Sequence, residues 1–141
     1  LIRDGADVVH SIMAKDGLRD FRGPARRWIE PVTAARAYTR AHPGQCFEVR
    51  YEDLVREPDA VLKRVADFLG LPCDLEASRR LDVVAEMGDV GRFAHHASVR
   101  KPVFGDSIGA GRRDLSPEQA VQLQALIGPL LQELGYARLA P

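Results

Sequence analysis

The sequence has little cysteine, no excess charge of either sign and no long apolar run, and each shortage removes a class of protein. Only Cys46 and Cys73 occur in 141 residues. They stand far apart and make no metal-ligand pattern; a disulfide between them could form, but one lone pair does not suggest a secreted, cystine-built scaffold. Lys plus Arg and Asp plus Glu number 20 each, so the formal net charge is zero. No field gathers nucleic acid along the whole molecule, and any anion site must be local. No apolar run approaches the roughly 20 residues needed to span a bilayer. A domain without a signal peptide and with a cytoplasmic location is expected. Repeats and low-complexity stretches are absent as well.

What is present suits one globular domain: 45% of the residues are hydrophobic, enough to bury a core. The chain begins on Leu1-Ile2, without an initiator Met, and reaches Arg3-Asp4-Gly5 at once. An apolar pair followed by charge and Gly reads as the end of a buried strand. The expectation is therefore a fragment, with earlier strands of the same domain lying upstream.

Asp4 is placed to cap a helix running to about Ala14, with Asp7 in its first turn. Pro24 is expected to open a second helix to about Ala41, with Trp28, Val32, Ala35 and Thr39 on one inward stripe, ended by His42-Pro43-Gly44. Cys46 to Tyr51 alternates as a strand does. Pro58 fits the first position of a helix carrying Val61, Leu62, Val65, Phe68 and Leu69, stopped by Gly70 and Pro72. A further helix is expected from Glu76 to Met87. Periodicity then disappears from Asp89 to Asp114, a length of loop that is usually functional or mobile. Ser116-Pro117-Glu118-Gln119 forms a capping box for a last helix with Leu123, Leu126, Ile127, Leu130, Leu131 and Leu134 on one face, ended by Gly135. Helices separating extended segments predict an α/β fold with a parallel sheet.

Ligands of open α/β sheets gather at the carboxyl ends of strands. Arg3 sits at such an end, Ser11 about two helical turns on, and Lys15 four residues further on the same face. A forked guanidinium, a hydroxyl and an ammonium together suit a compact dianion. The same residues have plainer uses. Arg3 could pair with Asp4 or Asp7, Ser11 could bond back to its own helix, and Lys15 could be merely solvated.

Leu1 to Ser11, LIRDGADVVHS, resembles the 3′-phosphate-binding segment of sulfotransferases that use 3′-phosphoadenylyl sulfate (PAPS), with Lys15 closest to the tyrosylprotein sulfotransferase branch. The resemblance implies that Arg3, Ser11 and Lys15 hold the 3′-phosphate. Val49 to Pro72 resembles the strand, loop and helix around the family's Tyr-Glu-x-Leu motif, in which Tyr51 lies against the nucleotide. Without the family, Tyr51 reads equally well as a core aromatic; Glu52 and Asp53 are expected to cap or brace the loop. Ser98, Val99, Arg100 and Lys101, followed by Pro102-Val103, resemble the mobile loop that closes over the nucleotide, although Arg100 and Lys101 could be solvated charges. The final helix resembles the family's C-terminal helix. One departure is clear: Ala110-Gly111 stand where the family usually has a basic residue and Trp, so a cation is missing unless Arg112 or Arg113 replaces it.

The resemblance covers nearly the whole chain but only the second half of the family domain, so residues 1–141 are expected to be the C-terminal portion of one P-loop-like domain. The family's phosphosulfate loop and catalytic Glu or His lie upstream, and no catalytic residue is assigned here. His10 is not read as the base, and His95-His96 is read as a solvated pair rather than a metal site. The implied activity is transfer of a sulfuryl group from PAPS to a hydroxyl on a tyrosine, a glycan or a small alcohol, leaving adenosine 3′,5′-bisphosphate, with no metal required. Two other readings stand beside it: a nucleotide-binding remnant kept as an interaction module, and a P-loop kinase relative.

Overall fold

Helices begin where short-range capping chemistry places them. The Asp4 carboxylate accepts the Ala6 N–H at 2.9 Å, filling one orphan donor of the first turn. Helix α1 then runs Gly5–Asp16, two residues past its expected end, until Gly17 turns left-handed at φ 64°. The computed structural model describes residues 1–76 and 105–139. They fall in two units, Leu1–Glu52 with Asp106–Pro141, and Asp53–Gly105. The expected helix beyond Glu76, the His95-His96 pair and the loop residues Ser98, Val99, Arg100 and Lys101 lie outside the described residues.

In the first unit, α2 spans Arg22–Ala41, so Pro24 sits inside the first turn rather than opening it. The Asp20 carboxylate accepts the Arg22 N–H at 3.2 Å. The predicted inward stripe is buried only at Trp28; Val32 and Thr39 are half-buried and Ala35 is exposed. The indole of Trp28 lies against the backbone of Gly5, where an added Cβ would sit 2.8 Å from the ring. Its Nε1–H donates to the Arg3 carbonyl at 3.1 Å. A single tryptophan thus fastens α2 to the start of α1.

The strand expected over Cys46–Tyr51 is much shorter than its alternation suggests. Among the described residues the extended segments meet at one parallel bridge, Ile2 with Arg50. Ile2 N–H donates to Val49 O at 2.8 Å and Tyr51 N–H to Ile2 O at 2.7 Å. The chain turns into α1 at Gly5 on one side and into α3, Tyr51–Arg56, on the other, so pairing stops there.

The expected loop before Asp114 also holds structure: a 3₁₀ turn at Gly105–Ser107 and a short helix α5, Ala110–Arg113. Helix α5 packs on α1 so closely that a Cβ on Gly111 would lie 2.2 Å from Ala6 O and 2.7 Å from Asp7 N. The last helix, α6, spans Pro117–Glu133 with the full capping box at Ser116. Gln119 N–H donates to Ser116 Oγ at 3.3 Å and Ser116 N–H to Gln119 Oε1 at 2.9 Å. Leu123, Ile127 and Leu131 are fully buried against Val9, Phe21, Ala25 and Trp28. Each such side chain contributes about 1.5–3 kcal/mol of burial.

In the second unit, α4 spans Pro58–Leu69 with Pro58 in its first turn and Gly70 left-handed at its end, as predicted. Its apolar stripe is only partly covered: Val61 is buried and Val65 half-buried, while Leu62, Phe68 and Leu69 are exposed. Both cysteines are free thiols, so the alternative of a disulfide does not hold. Among the described residues no helix is long and apolar enough to cross a membrane.

Gly111→Ala must move backbone rather than a flexible side chain, and is expected to cost about 1–3 kcal/mol. Gly23→Ala in α2, where a Cβ meets nothing within 4 Å, should be neutral or stabilise by up to about 1 kcal/mol. Urea denaturation of the purified variants, compared at constant m-value, measures both.

Candidate functional site

Side chains at positions 7, 11 and 15 recur every four residues along α1 and share one face, with Arg3 at the strand end just before the helix. The structure brings Arg3, Ser11 and Lys15 into the lining of one open cleft of about 500 Å³. Asp7 and His10 line it from the same helix, and Ser107 and Ala110 from the segment opposite. Ser11 and Lys15 are exposed, and neither side chain pairs with a described residue. Ser11 therefore does not bond back to its helix.

Arg3 is held from several sides. Its Nη2 donates to the Ser107 carbonyl at 2.7 Å and lies 3.7 Å from Asp7 Oδ2. Its guanidinium carbon sits 4.7 Å from the centre of the Tyr51 ring, a cation–π stack. The Nε of Arg3 is buried with no partner among the described residues. Tyr51 stands behind the cleft, its hydroxyl 3.3 Å from Ser107 Oγ. The Arg3–Asp7 pairing weighed from the sequence is thus real; the Arg3–Asp4 pairing is not, since Asp4 is engaged by Arg112 at 2.7 Å.

Asp7 lies in the first turn of α1, as expected; it is also buried, 1% exposed, and accepts the N–H groups of Gly109 at 2.8 Å and Gly111 at 2.9 Å. Two backbone donors are what a buried carboxylate needs. They tie the far wall of the cleft to the near one. His10 pairs with Asp114 at 3.1 Å on the rim. Arg112 and Arg113 are not among the residues that line this cleft. Arg112 binds Asp4 and the carbonyls of Ala137 and Arg138. Arg113 donates to the carbonyls of Ile108 and Asp106.

Glu52 braces, as expected of it. Its Oε1 accepts the Asp4 N–H at 2.9 Å and its Oε2 the Tyr136 hydroxyl at 2.9 Å. Arg50 lies over the Tyr136 ring at 4.3 Å and donates to the Leu134 carbonyl. Burial, reinforced by the hydrogen bond to Glu52, pushes the Tyr136 phenol far above its ordinary value. A second, larger hollow of about 610 Å³ runs between α2 and the 46–48 segment, walled by Trp28, Val32, Tyr38 and Phe47. Arg3 and Arg27 line it as well. Among the described residues no group of His, Cys, Asp and Glu is arranged to hold a metal ion.

The raised phenol gives a sign to the alkaline behaviour. The unfolded chain ionises near pH 10 while the native one stays protonated, so the contribution of Tyr136 is intact below about pH 10 and is lost as pH rises beyond it. Tyr136→Phe should cost about 1–2 kcal/mol at pH 8, with the difference from wild type shrinking above pH 10. Denaturation midpoints from pH 8 to 11 measure it.

Comparison with known proteins supplies the family. The profile described as "Sulfotransferase family" matches residues 1–75, more than half the chain and including Arg3, Ser11, Lys15 and Tyr51. A "Putative protein-tyrosine sulfotransferase" of Caenorhabditis elegans is 25% identical over 142 residues, covering 96% of this chain and 55% of that protein. "Protein-tyrosine sulfotransferase A" of the same organism is 27% identical, covering 96% of this chain and 38% of its own length. "Protein-tyrosine sulfotransferase 1" of Danio rerio is 24% identical, covering 96% and 41%. The chain thus spans about half, or less, of the curated relatives it matches. The match sets aside the reading as a kinase relative: the chain belongs to the sulfotransferase family, and its curated relatives carry the name of the tyrosylprotein branch.

Proposed function

We propose that this chain supplies the 3′-phosphate clamp of a sulfotransferase that moves a sulfuryl group from PAPS to a hydroxyl acceptor. One observation carries the reading: Ser11 and Lys15 present a hydroxyl and an ammonium without a partner among the described residues, in the same cleft as the guanidinium of Arg3. These are three donors of different reach around a space open to a ligand. They fit a phosphate monoester, which needs several donors and tolerates one guarded carboxylate, here Asp7, whose oxygens are already engaged by backbone N–H groups.

In this reading Arg3 gives a directional donor, Ser11 a neutral one and Lys15 a mobile point charge. Tyr51 stands against the nucleotide, and Ser98, Val99, Arg100 and Lys101 close over it. The Ile2–Arg50 bridge is one rung of a parallel, P-loop-like sheet continued by residues outside this chain. The nucleotide brings the sulfuryl group; the residues of this chain bind and orient, so that binding energy at the 3′-phosphate aligns the distant reacting end. A general base from outside this chain takes the acceptor proton. The names of the curated relatives favour a tyrosine hydroxyl as acceptor. No metal is invoked.

The engagement of Arg112 and Arg113 elsewhere leaves the clamp one cation short at Ala110, and this favours a second reading: nucleotide binding without turnover. Incubating the full-length protein with PAPS and a tyrosine peptide separates the two, since sulfate transfer supports the enzyme and binding without transfer supports the other.

Calorimetry with adenosine 3′,5′-bisphosphate on the full-length protein tests the clamp itself. Arg3→Ala is expected to weaken binding by about tenfold or more, and Ser11→Ala by about two- to tenfold. Unchanged affinity in Arg3→Ala overturns the proposal.

A further inference from the structure

Ser107 meets Arg3 through its backbone. Its carbonyl takes the Nη2–H of Arg3 at 2.7 Å, which places its side chain beside that guanidinium. The residue lines the cleft that holds Ser11 and Lys15, on the opposite wall. Its hydroxyl lies 3.3 Å from the Tyr51 hydroxyl, and either oxygen could be the donor in the free protein. The Tyr51 ring is in turn fixed beneath Arg3 at 4.7 Å. Ser107 is therefore held by two anchors, one on its carbonyl and one on its hydroxyl.

A phosphate oxygen decides the direction of that hydroxyl pair. A serine has one proton to give and two lone pairs. A phosphate monoester at Arg3, Ser11 and Lys15 offers acceptors and little else. Ser107 can bond to it only by donating its single proton into the cleft, and its contact with Tyr51 survives only if Tyr51 is the donor. The chain Tyr51 O–H to Ser107 Oγ, then Ser107 O–H to phosphate, satisfies every group with no proton left over. Each bond also polarises the next.

From this we infer that Ser107 is a fourth ligand-binding residue of the cleft, donating its hydroxyl to the phosphate opposite Ser11, and that Tyr51 is a positioning residue acting through it. The inference rests on the clamp reading of the cleft and adds a donor that neither the spacing of α1 nor the family comparison supplies. It also gives the Tyr51 hydroxyl a task separate from that of its ring.

The test is a double-mutant cycle on the full-length protein, read by calorimetry with adenosine 3′,5′-bisphosphate and with circular dichroism as the check of folding. Ser107→Ala is expected to weaken binding by about three- to tenfold, the worth of one hydrogen bond to a charged acceptor. Ser107→Thr, which keeps the hydroxyl, should stay within about twofold of wild type. Tyr51→Phe keeps the ring under Arg3 and should weaken binding in the wild-type background but add nothing in Ser107→Ala. A Ser107→Ala protein with wild-type affinity overturns the role of Ser107. Additive effects of the two substitutions overturn the relay from Tyr51. Arg3→Ala, run alongside, separates the layers: if it weakens binding while Ser107→Ala does not, only this inference falls. If Arg3→Ala has no effect, the clamp falls and this inference with it.

Discussion

The carboxylate of Asp7, buried on the first turn of α1, is the constraint on which the rest of the cleft depends. A charge taken out of water must be met by donors, and Asp7 meets the N–H groups of Gly109 and Gly111. Those bonds draw α5 against α1 until Gly111 touches the Ala6 carbonyl, a spacing that excludes any side chain. The segment just before them is thereby set in place, and Ser107 presents its carbonyl to Arg3. Asp7 also lies beside that guanidinium. One side chain therefore governs the width of the cleft and the posture of its main cation.

A second polar layer fixes the same end of the fold from beneath. Glu52 joins the Asp4 N–H to the Tyr136 hydroxyl, Asp4 takes Arg112, and Arg112 reaches the carbonyls of Ala137 and Arg138. These links run between the start of α1, the Ile2–Arg50 bridge and the chain after α6. They explain why the two arginines nearest Ala110 are not free for a ligand: Arg112 and Arg113 hold backbone carbonyls and Asp4 in place. Rigid walls with a few uncommitted donors are a sound arrangement for binding, because little ordering remains to be done when the ligand arrives. Ser11 and Lys15 are donors without a partner among the described residues.

Much of the local structure was legible from residues a few positions apart. Asp4 caps α1, Pro58 opens α4, Ser116 and Gln119 box the start of α6, and Gly70 and Gly135 turn left-handed after their helices. The shared face of Ser11 and Lys15 was legible for the same reason, since helical periodicity stacks them, with Arg3 at the strand end before α1. Elsewhere the pattern misled. Alternation over Cys46–Tyr51 promised a strand, yet pairing needs a partner alongside, and among the described residues only Ile2 provides one. The stripe of α4 looked inward at five positions, yet Leu62, Phe68 and Leu69 stay exposed.

What the amino-acid order determined by itself, then, is what rests on short-range bonds: where helices start and stop, and that the Ser11 hydroxyl and the Lys15 ammonium share one face of α1. Tertiary structure decided the rest. Asp7 finds its partners 102 and 104 residues away, and Arg3 meets the Ser107 carbonyl across 104 residues. No spacing in the sequence encodes such contacts, because they arise only when the core of α1, α2 and α6 has closed and brought residues 106–113 against the first helix. The motif at the start of the chain supplies three donors; the fold adds the opposite wall, its buried carboxylate and its serine.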